Sequence, residues 1–259
     1  MKIVVNTFYH VLKGSNMVQL RRTHKPSQEE IFTSYTWWDK SCVLNHITSE
    51  RCDYIEACID NVFGKESLAQ QEVLEVGCGG GLICEELARR GATVIGIDPS
   101  QGALEAARQH TQQSKLGQIA YYEHGYAEAL PYANGSFSAI VCLDVLEHVR
   151  DLQATIQEIA RVLAPGGVFI FDTINRTLIA RLVLIWIGER FLRQNGLVPG
   201  LHDYDAFIKP HELQTVLSAN ALRICELTGF MPRLVKGHLT LRPGWFKGVS
   251  YVGYATKGR

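Results

Sequence analysis

The segment Glu75-Val76-Gly77-Cys78-Gly79-Gly80-Gly81 limits the possible folds more than any other part of the chain. It follows an apolar run that begins at Val73, and it precedes Leu82, Cys84, Leu87 and Ala88 at helical spacing. A strand, a tight glycine turn and a helix are therefore expected over 73–90, with Gly77, Gly79 and Gly81 letting the backbone approach a ligand. The order then repeats. Gly91 stops the first helix, 93–97 is a β-branched strand, and Asp98-Pro99-Ser100 starts a helix over 102–110. Strands are expected at 119–123, 139–143 and 168–171, the last after the turn Ala164-Pro165-Gly166-Gly167, with a helix at 152–163. Such alternation means an α/β fold: a mostly parallel sheet with right-handed crossovers and helices on both faces. The C-terminal third departs from it, with a helix near 211–220 and strands at 222–227 and 250–256 that read as an antiparallel hairpin edge. Residues 1–60 read as a helical preface, 61–259 as the main domain, and about 174–212 as a segment inserted into it.

At 259 residues, 46% of them apolar, the chain can bury a sizeable core. Lys plus Arg balance Asp plus Glu at 26 each, so no global basic field is available to hold nucleic-acid phosphates. The seven cysteines include no Cys-x-x-Cys pair, which argues against a disulfide framework or structural zinc and for a reducing, cytoplasmic setting. The longest charge-free apolar run, 182–188, is far below the roughly 20 residues that span a bilayer. The oligomeric state stays open.

The glycine turn differs from a dinucleotide fingerprint, because Leu82 stands where the third glycine would fall. Glu75, two residues before the turn, would repel a pyrophosphate but suits a cationic amino-acid group. Asp98 lies 21 residues after Gly77 at the next strand end, where a carboxylate can take the two ribose hydroxyls, with Pro99 beside it. A single nucleoside bearing a cationic amino acid is implied, and S-adenosylmethionine fits that description.

The motifs VLEVGCGGG, VIGIDPS and VLAPGGVFIF resemble those of class I S-adenosylmethionine-dependent methyltransferases, over about residues 72–172. A narrower set is similar to the ubiquinone-biosynthesis O-methyltransferases: YTWWD at 35–39, LDVLEHV at 143–149, TINRT at 173–177, VPGLHDYDAFIKP at 198–210 and LTGFMP at 227–232. The resemblance implies a Rossmann-like sheet of seven strands with a C-terminal antiparallel hairpin. It also implies cofactor contacts at Gly77, Asp98, Leu143 and Arg51, and methyl transfer to a phenolic or catechol hydroxyl of a polyprenylated quinone precursor. Related small-molecule enzymes hold adenine with an Asp where this chain has Tyr126, which leaves Ala127 and Glu128 for that task.

A phenol ionises near pH 10, so its methylation gains from a positioned base or a divalent cation. Asp144, Glu147 and His148 follow the fourth strand and would share one face of a helix, as a candidate site for Mg, Mn or Zn. The plainer reading is that they shape the pocket or cap the next helix. His202 and Asp203 are second candidates for base or substrate orientation, against an ordinary surface loop pair. Trp37 and Trp38 suit a lid over the cofactor or an aromatic anchor for the preface. Residues 178–192 are apolar and carry Arg176, Arg181, Arg190 and Arg193 about them, which suits peripheral contact with the anionic inner face of a membrane over 176–193, or a buried lid helix. Two rival functions share the cofactor motifs: methylation of another small molecule, and a non-catalytic S-adenosylmethionine-binding regulator.

Overall fold

A computed structural model describes residues 28–33, 35–39, 42–117, 119–188, 202–235 and 238–259. Strands β1 (Glu72–Val76), β2 (Thr93–Asp98), β3 (Ala120–His124), β4 (Phe137–Cys142) and β5 (Leu163–Ile174) run parallel in the order β3-β2-β1-β4-β5. Antiparallel strands β6 (Leu222–Val235), β7 (His238–Gly244) and β8 (Ser250–Lys257) extend the sheet as β5-β8-β6-β7. The α/β class and the parallel half agree with the sequence reading. The expected antiparallel pairing of 222–227 with 250–256 is present as β6 against β8, and two details differ: the described sheet has eight strands rather than seven, and the tight hairpin joins β6 to β7, with β8 seated between β5 and β6. Strand β7 is hard to read from sequence because Pro243 interrupts it, and an edge strand tolerates proline since one row of its N–H groups needs no partner.

The expected turn at 164–167 is instead absorbed into β5. Leu163 and Val168 pair with Phe137 and Ala139, so four residues bulge opposite Ser138.

Strand side chains alternate between two buried faces. Val73 packs under α2 (Val43–Phe63), α3 (Leu82–Arg89) and α4 (Gln101–Gln113), whereas Leu74 and Val76 pack with α5 (Leu152–Val162) and the helix Pro210–Ala219. Covering both faces explains why the strands read as continuous apolar runs. Capping fixes where the helices begin: Ser100 Oγ accepts from the Ala103 N–H at 3.3 Å, and Asp151 Oδ1 from the Ala154 N–H at 3.0 Å. The preface contributes α1 (Gln28–Thr33) and α2; residues 1–27 lie outside the described set.

Candidate active site

Between β1 and β4 the strand order reverses direction, which opens a crevice at the carboxyl ends of the parallel strands. The glycine turn leaves β1 there. The N–H groups of Gly77 and Cys78 donate to Ile97 O at 2.7 and 3.2 Å, so the turn is tied to β2. Asp98 is buried at the end of β2, where its two carboxylate oxygens accept from the Gly79 N–H at 2.9 Å and the Ser100 N–H at 2.8 Å. One carboxylate thus fixes both walls of the crevice.

The glycines have a further cause that the sequence did not reveal. Gly77 and Gly79 have φ of 75° and 49°, and a Cβ on Gly77 would overlap Val145 while one on Gly79 or Gly80 would overlap the Trp37 indole. Protein side chains, as well as any ligand, require these positions to be bare. Trp38 donates from Nε1 to Gly80 O at 3.0 Å and stacks on His110 with ring centroids 3.4 Å apart. Thr33 shares a 3.0 Å hydrogen bond with Ser100, so α1 and the paired tryptophans form a cover over the turn and the start of α4. These contacts are those of an aromatic anchor for the preface.

Glu75 lies on the α3 face of the sheet, where its Oε2 accepts from Cys84 Sγ at 2.7 Å. Burial pushes its carboxyl up to about 8. Leu143 is buried at the end of β4. Pro99 follows Asp98. Ala127 packs partly into the core, and the Glu128 Oε1 accepts from the Arg150 N–H at 2.8 Å, in the loop after β3 that Gly125 ties to Asp98 O at 3.2 Å.

The segment after β4 departs from expectation. Residues 144–150 form turns, and α5 starts only after Asp151, so Asp144, Glu147 and His148 share no helical face. The cause is non-local: Asp144 takes φ 55°, held by its N–H donating to Asp172 Oδ1 at 2.6 Å. Asp144 Oδ2 pairs with Arg51 Nη2 at 2.6 Å. Glu147 points inward, its Oε2 accepting from Thr173 Oγ1 at 2.7 Å. His148 packs edge-on to Phe32 and 5.8 Å from the His202 ring. Among the described residues, no group of three His, Cys, Asp or Glu side chains is placed to hold a metal ion.

The electrostatics are unusual. Burial, then the charges of Asp144 and Asp172, push the Glu147 carboxyl up to about 8. Burial and the His202 ring press His148 down to about 4, against the pull of Asp144. Asp172 rises to about 7 by burial and the charge of Asp144. Asp172 and Thr173 were missed from sequence because they sit in the apolar run Val168 to Ile174; a lone carboxylate in a buried strand was the available signal. Arg51 is buried on α2 and reaches both Asp144 and Asp172. His202 packs edge-on to Phe207, and Asp203 caps the turn Tyr204–Ala206 through the Asp205 N–H at 3.1 Å, a structural duty.

Comparisons with known proteins agree with this geometry. Residues 74–171 match a methyltransferase domain family. The chain is 35% identical over 219 residues to the ubiquinone biosynthesis O-methyltransferase of Sinorhizobium medicae, which covers 81% of this chain and 87% of that protein. It is 38% identical over 202 residues to the enzyme of the same name from Actinobacillus pleuropneumoniae, covering 75% and 82%. In fold it resembles the magnesium protoporphyrin IX methyltransferase of Synechocystis with bound S-adenosylhomocysteine, at TM-score 0.59 and 22% identity over 85% of this chain and 86% of that one. A Methanosarcina mazei S-adenosylmethionine-dependent methyltransferase superposes with TM-score 0.55 and 22% identity, over 73% of this chain and 92% of that one.

Proposed function

Because the chain belongs to the family of ubiquinone biosynthesis O-methyltransferases and is an S-adenosylmethionine-dependent methyltransferase, we propose that its acceptor is a phenolic hydroxyl on a catechol ring bearing an apolar polyprenyl tail. The observation that carries the acceptor class is the continuity between the site and an exposed apolar segment. His148 and His202 lead to Phe207 and Tyr204, which pack with Leu184 and Ile185. Beyond them Leu178 is 74% exposed and Leu182 51%. A ring placed at the histidines would have its tail directed along that surface.

The residues fit the cofactor. Asp98 suits the ribose hydroxyls, the loop at Ala127 and Glu128 the adenine, and Arg51 the methionine carboxylate. Bound S-adenosylmethionine supplies an electrophilic methyl on a sulfonium. The protein aligns the acceptor oxygen with it in a dry crevice and takes up the phenolic proton. His148, kept neutral by burial and by the neighbouring His202 ring, is the proton acceptor, and the Asp144 charge offsets part of the basicity that burial removes.

A divalent ion is a second reading, favoured by one observation: the buried Glu147 Oε1 has no hydrogen-bond partner beside the Asp144 and Asp172 charges. The donors as placed do not form a three-ligand group, so no step is drawn through a metal. Both readings predict methylation of short-tailed catechols, and they part at chelation. Metal-free protein should keep its rate if His148 acts unaided. A tenfold loss restored by Mg²⁺, Mn²⁺ or Zn²⁺ would install the ion, and no turnover of any catechol would overturn the acceptor class.

The exposed segment gives the membrane proposal its surface. Ile179 and Val183 are also exposed, and α6 (Leu178–Ala180) continues as the wide helical turns Arg181–Gly188. No described helix is long and apolar enough to cross a membrane. Trp245, 83% exposed, lies on a loop tied to the same place, since Asn175 Nδ2 donates to Lys247 O at 2.6 Å and Thr177 Oγ1 to Gly248 O. Residues 227–259 contain six Lys or Arg and no Asp or Glu, which complements an anionic bilayer. Vesicles containing phosphatidylglycerol should sediment the protein and pure phosphatidylcholine vesicles should not. Arg181→Gln should weaken the attachment about fivefold, roughly 1 kcal/mol. Attachment indifferent to lipid charge and salt would reject this surface.

A further inference from the structure

Arg51 engages its partners unequally. Its Nη2 lies 2.6 Å from Asp144 Oδ2 and 3.2 Å from Asp172 Oδ2, while its Nε is buried without a hydrogen-bond partner. A guanidinium satisfies a carboxylate best in a two-pronged pair, and here one nitrogen serves two carboxylates while another serves none. The two acids also differ in freedom. The Asp172 side chain is 4% exposed and is anchored twice, to Arg51 and to the Asp144 N–H. The Asp144 side chain is 39% exposed and stands at the crevice mouth. Its backbone is pinned by Asp172, so the carboxylate can leave Arg51 by side-chain rotation alone.

We propose that Asp144 is an internal substitute for the cofactor's carboxylate: the methionine carboxylate of S-adenosylmethionine displaces it from Arg51, pairs with Nε and Nη2, and frees Asp144 for the acceptor. The proposal rests on the reading of Arg51 as a cofactor residue and adds an order of events. Cofactor binds first, and only then does a carboxylate become available beside His148 for the phenol. Asp172 is the fixed post of the exchange, keeping both Arg51 and the Asp144 backbone in place while partners change.

The exchange has a signature that a structural ion pair lacks. Removing Asp144 removes a competitor, so Asp144→Asn should bind S-adenosylhomocysteine three- to tenfold more tightly than the wild type while turning over a catechol more slowly. Asp144→Ala provides the same comparison if the amide makes a new hydrogen bond to Arg51. Decarboxylated S-adenosylmethionine has nothing to compete with and should bind the wild type and both variants equally. Arg51→Gln should weaken S-adenosylhomocysteine at least tenfold and leave the decarboxylated ligand nearly unaffected. Calorimetry separates the failures. If Arg51→Gln binds S-adenosylhomocysteine as the wild type does, Arg51 is no cofactor residue. If Arg51→Gln weakens it but both Asp144 variants bind no more tightly than the wild type, the cofactor reading stands and the exchange is wrong.

Discussion

Titrated with S-adenosylhomocysteine, Asp98→Ala should bind 10- to 150-fold more weakly than the wild type, a loss of about 1.5 to 3 kcal/mol. Two effects combine. The ribose hydroxyls lose their acceptor, and the Gly79 and Ser100 N–H groups lose theirs, so the turn that Asp98 holds against β2 relaxes. Asp98→Asn separates the two contributions, because its single amide oxygen can keep one N–H satisfied while offering less to the hydroxyls. It should recover part of the thermal stability and little of the affinity. Equal affinity of wild type and Asp98→Ala would remove the nucleoside from this crevice.

The other large effect belongs to His148. His148→Ala should lower the methylation rate by about 10²- to 10³-fold, the usual scale for a lost acid–base group, while cofactor affinity stays within twofold. A tenfold fall in affinity at unchanged rate would assign His148 to cofactor binding instead. Stability gives a second readout. The folded protein holds this imidazole down to about 4, whereas the unfolded chain takes up the proton near the usual 6.5. Above pH 6.5 both states are neutral and the group is silent. Between 6.5 and 4 the unfolded state binds more protons, so stability falls as the pH falls, by about 1.4 kcal/mol per pH unit. The alanine variant should show a shallower acid limb in urea unfolding from pH 6.5 to 4.5.

What could be read from the sequence follows from range of interaction. Glu75 to Gly81 and Asp98 are legible because a turn between strand and helix is fixed by its own residues, and both strand ends arrive at the crevice as expected. Even there, the reason for Gly79 and Gly80 was hidden, since Trp37 is some forty positions away. The helical spacing of Asp144, Glu147 and His148 predicts a shared helical face after β4. Asp172, from the next strand, overrides that preference by holding Asp144 in the left-handed region. Arg51 could be placed only by resemblance, because nothing in its local sequence shows that it will meet Asp144 and Asp172.

The position of β8 sets the order in which the sheet can close. Strands β6 and β7 precede in the chain the strand that joins them to the rest of the sheet, so without β8 their hairpin has no neighbour in the sheet and β5 has an open edge. When β8 docks it closes both seams at once, pairing Val168 to Ile174 on one side and Leu222 to Gly229 on the other. Until then two unpaired strand edges, rich in Phe, Ile and Leu, are open to other chains. Chains truncated before Ser250 should therefore be the form of this protein that chaperones bind most, and restoring β8 the change that ends their hold.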